Sequence, residues 1–127
     1  MIFKEKKVLF IEDNENLSDL YSTFLNIKLK LSVYTANDGQ KAYSMAEELK
    51  PDLIITDLML PSISGLDLVE LFKKNPELCH VPIIVVSAIG AKEQIVKCLA
   101  AGADYYLIKP VSFKQLEQNI KKLLKLK

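Results

Sequence analysis

Short apolar runs alternate with stretches of helical periodicity along the chain, and this alternation limits the fold more than any other feature. Five runs have the length of strands and cover residues 8–11, 31–36, 52–56, 82–87 and 104–108. The first, third and fourth runs are almost continuously apolar, which is typical of strands covered on both faces of a parallel sheet. The second run is more mixed and is predicted to be an edge strand.

The intervals between and after the runs carry apolar residues at the three- and four-residue spacing of a buried helix face. The expected stripes are Leu17, Leu20, Tyr21, Phe24 and Leu25; Ala42, Met45, Ala46 and Leu49; Leu68, Leu71 and Phe72; Ile95, Cys98 and Leu99; and Phe113, Leu116, Ile120, Leu123 and Leu124. Gly102 is expected to cap the fourth helix, and Ser112 and Gln115 have capping-box spacing at the start of the fifth. The alternation predicts an α/β fold, a doubly wound parallel sheet of five strands with helices on both faces.

Bulk composition narrows the class of protein further. The chain has 127 residues, half of them hydrophobic, and a formal net charge of +1, which suits a single domain over residues 1–127 and predicts neither nucleic acid nor a membrane as a direct partner. No apolar run has the length of a signal peptide or a membrane span. We therefore expect a cytoplasmic protein in which Cys79 and Cys98 are reduced thiols in apolar surroundings, with a disulfide as the less favoured alternative.

Polar or charged residues stand at the ends of four of the five predicted strands. Glu12 and Asp13 follow the first strand, Asp57 follows the third, Ser87 ends the fourth and Lys109 follows the fifth. In open α/β sheets the ligand site lies outside the carboxyl ends of the strands. The sequence therefore predicts that these side chains meet at one edge of the sheet.

Carboxylates gathered at this edge require positive charge nearby. Two like charges about 4 Å apart repel by roughly 4 kcal/mol at an effective dielectric constant near 20. Lys109 supplies one positive charge, and a divalent cation is the natural second. Cys79 and His80 precede the fourth strand and are expected at the opposite edge, so the available ligands are oxygens, which argues against zinc and for Mg²⁺.

A carboxylate beside Mg²⁺, a lysine and a hydroxyl suits the acceptance of a phosphoryl group. Asp57 can attack in line and form an acyl phosphate. The metal, Lys109 and Ser87 can then hold the phosphoryl oxygens, because phosphoryl transfer depends mainly on positioning and on neutralising charge.

Four stretches carry a family resemblance: VLFIEDN, PDLIITDLMLPSISGLDL, PIIVVSA and AGADYYLIKP, in this order. Together they resemble the response-regulator receiver domains of two-component signalling over essentially the whole chain. The resemblance implies a flavodoxin-like fold with strand order 2-1-3-4-5. It also implies a magnesium-dependent phosphoprotein of phosphorelay signal transduction.

The resemblance assigns individual roles at the strand ends. Asp57 matches the phosphorylated aspartate. Asp13, Asp57 and the backbone carbonyl of Met59 match the magnesium ligands, and Glu12 matches an outer acidic residue that usually acts through water.

The resemblance also implies a conformational switch. Ser87 and Lys109 match the pair that contacts the phosphate, the Lys109–Pro110 bond would be cis, and Tyr106 falls at the aromatic switch position. We expect Ser87 to move to the phosphoryl group and Tyr106 to turn inward. The surface of the fourth helix, fifth strand and fifth helix would then change shape.

The partners implied by the resemblance are a sensor histidine kinase or phosphotransfer protein as donor, and a downstream effector protein or output domain. A phosphorylation-linked homodimer through helices 4 and 5 is compatible with it. The domain would not be an enzyme beyond its own phosphoryl transfer and dephosphorylation. A receiver-like interaction module that is not phosphorylated is the alternative function.

Two further functions fit the sequence less well. Phosphatases similar to haloacid dehalogenases carry a second aspartate two residues after the nucleophile, where this chain has Met59. A flavin-binding module needs a hydroxyl-rich phosphate loop after the first strand, where residues 13–16 include two acids that would repel a phosphate.

Overall fold

Strands and helices alternate strictly from residue 5 to residue 126, the part of the chain that the computed structural model describes. The elements are β1 (Lys7–Ile11), α1 (Glu15–Leu29), β2 (Ser32–Ala36), α2 (Gly39–Leu49), β3 (Leu53–Thr56), α3 (Gly65–Lys74), β4 (Ile83–Ser87), α4 (Lys92–Ala101), β5 (Tyr105–Ile108) and α5 (Phe113–Leu124). All ten predicted elements are confirmed. The single-domain prediction also includes residues 1–4 and 127, which lie outside the described residues.

The five strands form one parallel sheet in the order β2-β1-β3-β4-β5. This confirms the predicted order and the edge position of β2. Ile11 at the end of β1 pairs with Thr56 at the end of β3, and Ser87 at the end of β4 pairs with Ile108 at the end of β5. Because the strands are parallel and end nearly level, the residues that follow them emerge at one edge.

Alternate residues of each central strand feed two separate cores, one on each face of the sheet. The α1/α5 core contains Val8, Phe10, Leu25, Leu31, Leu53, Ile55, Ile84, Leu107, Val111, Leu116 and Ile120. The α2–α4 core contains Leu9, Ile11, Ala36, Ala42, Ala46, Ile54, Leu58, Leu68, Val69, Phe72, Leu78, Val81, Ile83, Val85, Cys98 and Ala103. The predicted cover of helices on both faces is thereby confirmed.

Four helices begin with a side chain that accepts a hydrogen bond from a backbone N–H of the first turn. These N-caps are Asn14, Asp38, Ser64 and Ser112. The Gln115 N–H donates to Ser112 Oγ at 3.0 Å, as the capping-box spacing predicted. Such a cap typically stabilises a helix by about 1 kcal/mol.

Several predicted stripe residues are exposed. Leu20, Leu71, Leu99 and Phe113 expose between 36 and 53% of their surface, so their prediction as buried was wrong. In α1 the buried positions are Ser18 and Leu25. Leu20 follows Ser18 by two residues, which places it about 200° round the helix from the buried side.

The cysteine prediction is confirmed in one respect and wrong in another. Cys79 and Cys98 are both free thiols, and Cys98 is buried in the α2–α4 core, where burial raises its pKa. Cys79 is exposed, because it lies in the turn at residues 76–80 that leads into β4. Among the described residues, no helix combines the length and apolar character that crossing a bilayer requires.

Three helices end in a lysine with left-handed backbone geometry, a conformation that glycine adopts more readily. Lys30, at the end of α1, has φ 58°. We predict that Lys30→Gly stabilises the fold by about 1 kcal/mol, because a side chain in this region clashes with its own backbone. Urea unfolding at an unchanged m-value measures the difference.

Lys28→Gly is the matched control, because Lys28 lies in the last turn of the same helix. Glycine inside a helix is destabilising by about 0.5–1 kcal/mol, so the two substitutions are expected to act in opposite directions. Equal destabilisation by both would contradict the backbone argument.

Candidate functional site

The site begins where β1 and β3 end side by side. The Asp57 N–H donates to the Ile11 carbonyl at 3.1 Å, and the Glu12 N–H donates to the Ala36 carbonyl at 3.0 Å. These backbone bonds continue the sheet ladder by one residue beyond each strand. Glu12 and Asp57 therefore leave the sheet from adjacent strands at the same level.

Three acidic side chains converge at this edge. Oxygen atoms from the carboxylates of Glu12, Asp13 and Asp57 all lie within 4.8 Å of one another. Glu12 and Asp57 are only 5% and 8% exposed, whereas Asp13 is exposed. The cluster therefore reaches from the buried end of the sheet to the solvent.

Lys109 follows β5, and its side chain reaches two of these acids. Its Nζ lies 2.7 Å from Glu12 Oε1 and 2.7 Å from Asp57 Oδ2. Burial alone would lower the pKa of Lys109, but its hydrogen bonds to Asp57 and Glu12 and their charges outweigh this, and the pKa is raised. The bond from Lys109 to Pro110 is cis, as the resemblance implied.

Backbone amides hold the other oxygen of the Asp57 carboxylate. Leu58 N–H donates to Asp57 Oδ1 at 2.6 Å, and Met59 N–H donates to the same atom at 3.2 Å. With Lys109 on Oδ2, the carboxylate accepts three hydrogen bonds. Its orientation is therefore fixed by the loop that follows β3.

Ser87 and Tyr106 meet at the backbone of Ile89. Ser87 is buried, and its Oγ accepts from the Ile89 N–H at 3.1 Å, while the Tyr106 hydroxyl donates to the Ile89 carbonyl at 2.5 Å. Burial raises the pKa of Tyr106. Tyr106 is half-buried against the α2–α4 core. The predicted movements of Ser87 and Tyr106 stay predictions.

Two positioning residues escaped the sequence analysis. The Asn14 N–H donates to Glu12 Oε2 at 3.1 Å, while the Asn14 side chain caps α1. Gly65 packs so closely that a Cβ there would lie 2.1 Å from the Asp57 carbonyl oxygen. The sequence offered a signal for each. Asn14 is a capping residue two positions after an acid, and Gly65 is a glycine at the start of a helix beside the site.

The donor set fits a hard divalent cation. The acidic ligands are carboxylate oxygens on three residues, and they outnumber the single ammonium group of Lys109. Mg²⁺ prefers oxygen ligands and is usually held by one or two carboxylates together with waters and phosphate oxygens. Cys79 and His80 lie at the other edge, before β4, so soft ligands are not part of this cluster.

Comparison with known proteins identifies relatives over nearly the whole chain. A family described as "Response regulator receiver domain" matches residues 8–121. The polar-differentiation response regulator DivK of Brucella anthropi is 34% identical over 119 residues, which is 94% of this chain and 96% of DivK. The sensor histidine kinase TmoS of Ectopseudomonas mendocina is 36% identical over 123 residues, which is 97% of this chain but 12% of TmoS.

A third relative is also much longer than the matched region. The phosphate regulon transcriptional regulatory protein PhoB of Rhizobium meliloti is 37% identical over 119 residues, which is 94% of this chain and 52% of PhoB. The chain therefore spans about half of PhoB, a small part of TmoS and nearly all of DivK.

Solved structures share the fold over nearly the whole chain. A two-component response regulator from Clostridium difficile superposes with a TM-score of 0.89 at 26% identity, covering 95% of this chain and 97% of that one. The receiver domain of sensor histidine kinase PA1611 from Pseudomonas aeruginosa PAO1 gives 0.87 at 26% identity, covering 96% and 99%. That structure is described as having a magnesium ion coordinated in the active site cleft.

The packing of Gly65 against Asp57 gives a direct test of how the site is positioned. We predict that Gly65→Ala destabilises the fold by about 1–3 kcal/mol, because the added methyl group meets backbone atoms that cannot move freely. Thermal unfolding measures the loss. Gly90→Ala is the control, because its Cβ would meet only Ile108 Cδ1 at an ordinary 3.6 Å. An equally large loss in both variants would contradict the packing argument.

Proposed function

Because this chain belongs to the response regulator receiver domain family, we propose that Asp57 is the residue that accepts the phosphoryl group. The observation that carries the proposal is the position of its carboxylate. It is buried at the end of the central strand β3, 2.7 Å from the Lys109 ammonium and next to two other acids. The single receiver domain is proposed to extend over residues 1–127, with the family match at 8–121 in support.

We propose that Asp13, Asp57 and the Met59 carbonyl hold Mg²⁺, with Glu12 acting through water. In support, the Met59 backbone lies against the acceptor, since its N–H donates to Asp57 Oδ1. When bound, the ion supplies positive charge that offsets the negative charge of the transferring phosphoryl group. The structure of the PA1611 receiver domain, described with a magnesium ion coordinated in the active site cleft, supports the choice of ion.

The transfer step uses an Asp57 carboxylate oxygen as the nucleophile. The oxygen attacks the phosphorus of a phosphohistidine, the P–N bond breaks, and the imidazole leaves with the electron pair. The raised pKa keeps Lys109 charged, so its ammonium can donate to a phosphoryl oxygen. Ser87 Oγ accepts from Ile89, which leaves its own proton free to donate to a second phosphoryl oxygen.

The proposed partners follow from the same chemistry. The donor is a phosphohistidine on a sensor histidine kinase or a phosphotransfer protein, and the receiver of the signal is an effector protein or output domain. Relatives named as a sensor histidine kinase and as a transcriptional regulatory protein support both halves of this proposal. We place the protein in the cytoplasm, as a phosphoacceptor that turns over no separate substrate. A phosphorylation-linked homodimer through α4 and α5 is part of the same hypothesis.

Phosphorylation of Asp57 is tested with acetyl phosphate and Mg²⁺. We expect intact-mass analysis to show one phosphoryl group on the wild-type chain and none on Asp57→Asn, because the amide is a poor nucleophile. A chelator should abolish the adduct. Asp67→Asn, which changes an exposed acid in the first turn of α3, should be phosphorylated like wild type. An equal adduct on Asp57→Asn would show that Asp57 is not the acceptor, and the absence of any adduct on the wild-type chain would favour the interaction module that is not phosphorylated.

Ser87 is proposed to pass the phosphorylation state to α4 and β5 through Ile89. We predict that Ser87→Ala is still phosphorylated, more slowly, but loses most of the phosphorylation-induced amide shifts in α4 and β5, since no hydroxyl can leave Ile89 for the phosphoryl group. NMR spectra recorded with and without acetyl phosphate measure this. Ser44→Ala, a change on the exposed face of α2, serves as the control. If phosphorylation shifts the amides of α4 and β5 as much in Ser87→Ala as in wild type, the coupling is wrong.

A further inference from the structure

We propose that Ser62 is a positioning residue for the metal site, because it fastens the loop after Asp57 to the first turn of α2. The inference rests on the proposed metal role of the Met59 carbonyl, which lies in the same loop. The start of α2 would thereby influence the metal site, although α2 contributes none of the three acidic side chains.

The backbone of Ser62 is in an unusual conformation. Its φ is 66°, in the left-handed region that favours glycine. Over residues 5–126, the other non-glycine residues with positive φ are Lys30, Lys50 and Lys125, and each of them ends a helix. Ser62 lies instead in the middle of the β3–α3 loop. Such a conformation persists only where the surrounding contacts hold it.

The contacts that hold it come from the start of α2. The Gln40 N–H donates to Ser62 Oγ at 3.1 Å, and Ser62 Oγ lies 3.4 Å from Asp38 Oδ1. The Gly39 N–H donates to the Pro61 carbonyl at 3.1 Å. Backbone N–H groups in the first turn of a helix lack partners within the helix. The loop therefore supplies acceptors that α2 needs, and α2 in return fixes the loop.

The loop approaches α2 so closely that Gly39, the first residue of the helix, has no room for a side chain. A Cβ at Gly39 would lie 2.4 Å from the Ile63 carbonyl oxygen. The loop tip thus lies directly on the backbone of α2, so its position relative to that helix is closely defined.

The other end of the loop is fixed at the acceptor itself. The Gly65 N–H donates to the Leu58 carbonyl at 2.8 Å, and Gly65 packs against the Asp57 backbone. Met59 therefore lies between two attachment points, one at Asp57 and one at Ser62. Loss of the Ser62 hydroxyl would leave the second point to the Gly39–Pro61 backbone bond alone. The Met59 carbonyl would then be held less closely at the acidic cluster, even though Ser62 makes its hydrogen bonds to the start of α2 and to none of the three acids.

Ser62→Gly separates positioning from folding. Glycine suits the left-handed backbone, so the unfolding midpoint should be unchanged or higher, while the hydroxyl that binds Gln40 is lost. We expect Mg²⁺ affinity, measured by calorimetry and by the amide shifts of Met59 and Gln40, to fall by about tenfold, as is usual when a residue that orients a metal ligand is removed.

Two further variants complete the test. Asparagine tolerates the left-handed region, and its side-chain oxygen can accept from Gln40, so Ser62→Asn should recover most of the affinity. Lys30→Gly makes the same kind of backbone change far from the site and should leave Mg²⁺ affinity at the wild-type value.

The outcomes distinguish this inference from the function on which it rests. If the wild-type chain does not bind Mg²⁺, the proposed metal site is wrong and the role of Ser62 falls with it. If wild type binds and Ser62→Gly binds equally well, the metal site stands and the positioning role is wrong. A lower unfolding midpoint in Ser62→Gly, or no recovery in Ser62→Asn, would also overturn it.

Discussion

The contact of Lys109 with Glu12 and Asp57 is the interaction on which the rest of the site depends. One ammonium group, 2.7 Å from each acid, links the end of β5 to the ends of β1 and β3 across the intervening β4. Carboxylates with so little exposure are strongly unfavourable in a fold when they lack a partner. The sheet order places the lysine where it is needed, and the lysine in turn allows the sheet to end in buried acids.

Asp57, the proposed acceptor, is held by two kinds of contact that differ in how freely they can move. Asp57 has one oxygen held by the amides of Leu58 and Met59 and the other by Lys109. The amides are part of the backbone and cannot leave, whereas a lysine side chain is flexible and can follow charge as it moves onto a phosphoryl group. In the proposed transfer, the rigid contacts would orient the nucleophile and the flexible one would respond to the reaction.

Much of this could be predicted from the sequence because it depends on topology. Asp57 and Lys109 are far apart in the chain, yet parallel strands deliver both to one edge whatever the details of the loops. The contacts of Ser62 and Tyr106 depend instead on loop paths and on one left-handed residue, which apolar periodicity does not encode. The prediction that Leu20 is buried was wrong for a related reason. The side of a helix that faces the sheet, which in α1 is the side of Ser18, is set by the angle at which the whole helix packs.

The division of the interior into two cores has a consequence for how such a chain can evolve. Leu9 and Phe10 are neighbours in sequence, but the backbone layer of the sheet separates their side chains into cores with no buried members in common. Substitutions that share no partners act nearly additively. One face can therefore accept substitutions that suit a new binding partner while the opposite face keeps its packing, and the acidic edge between the two cores need not change.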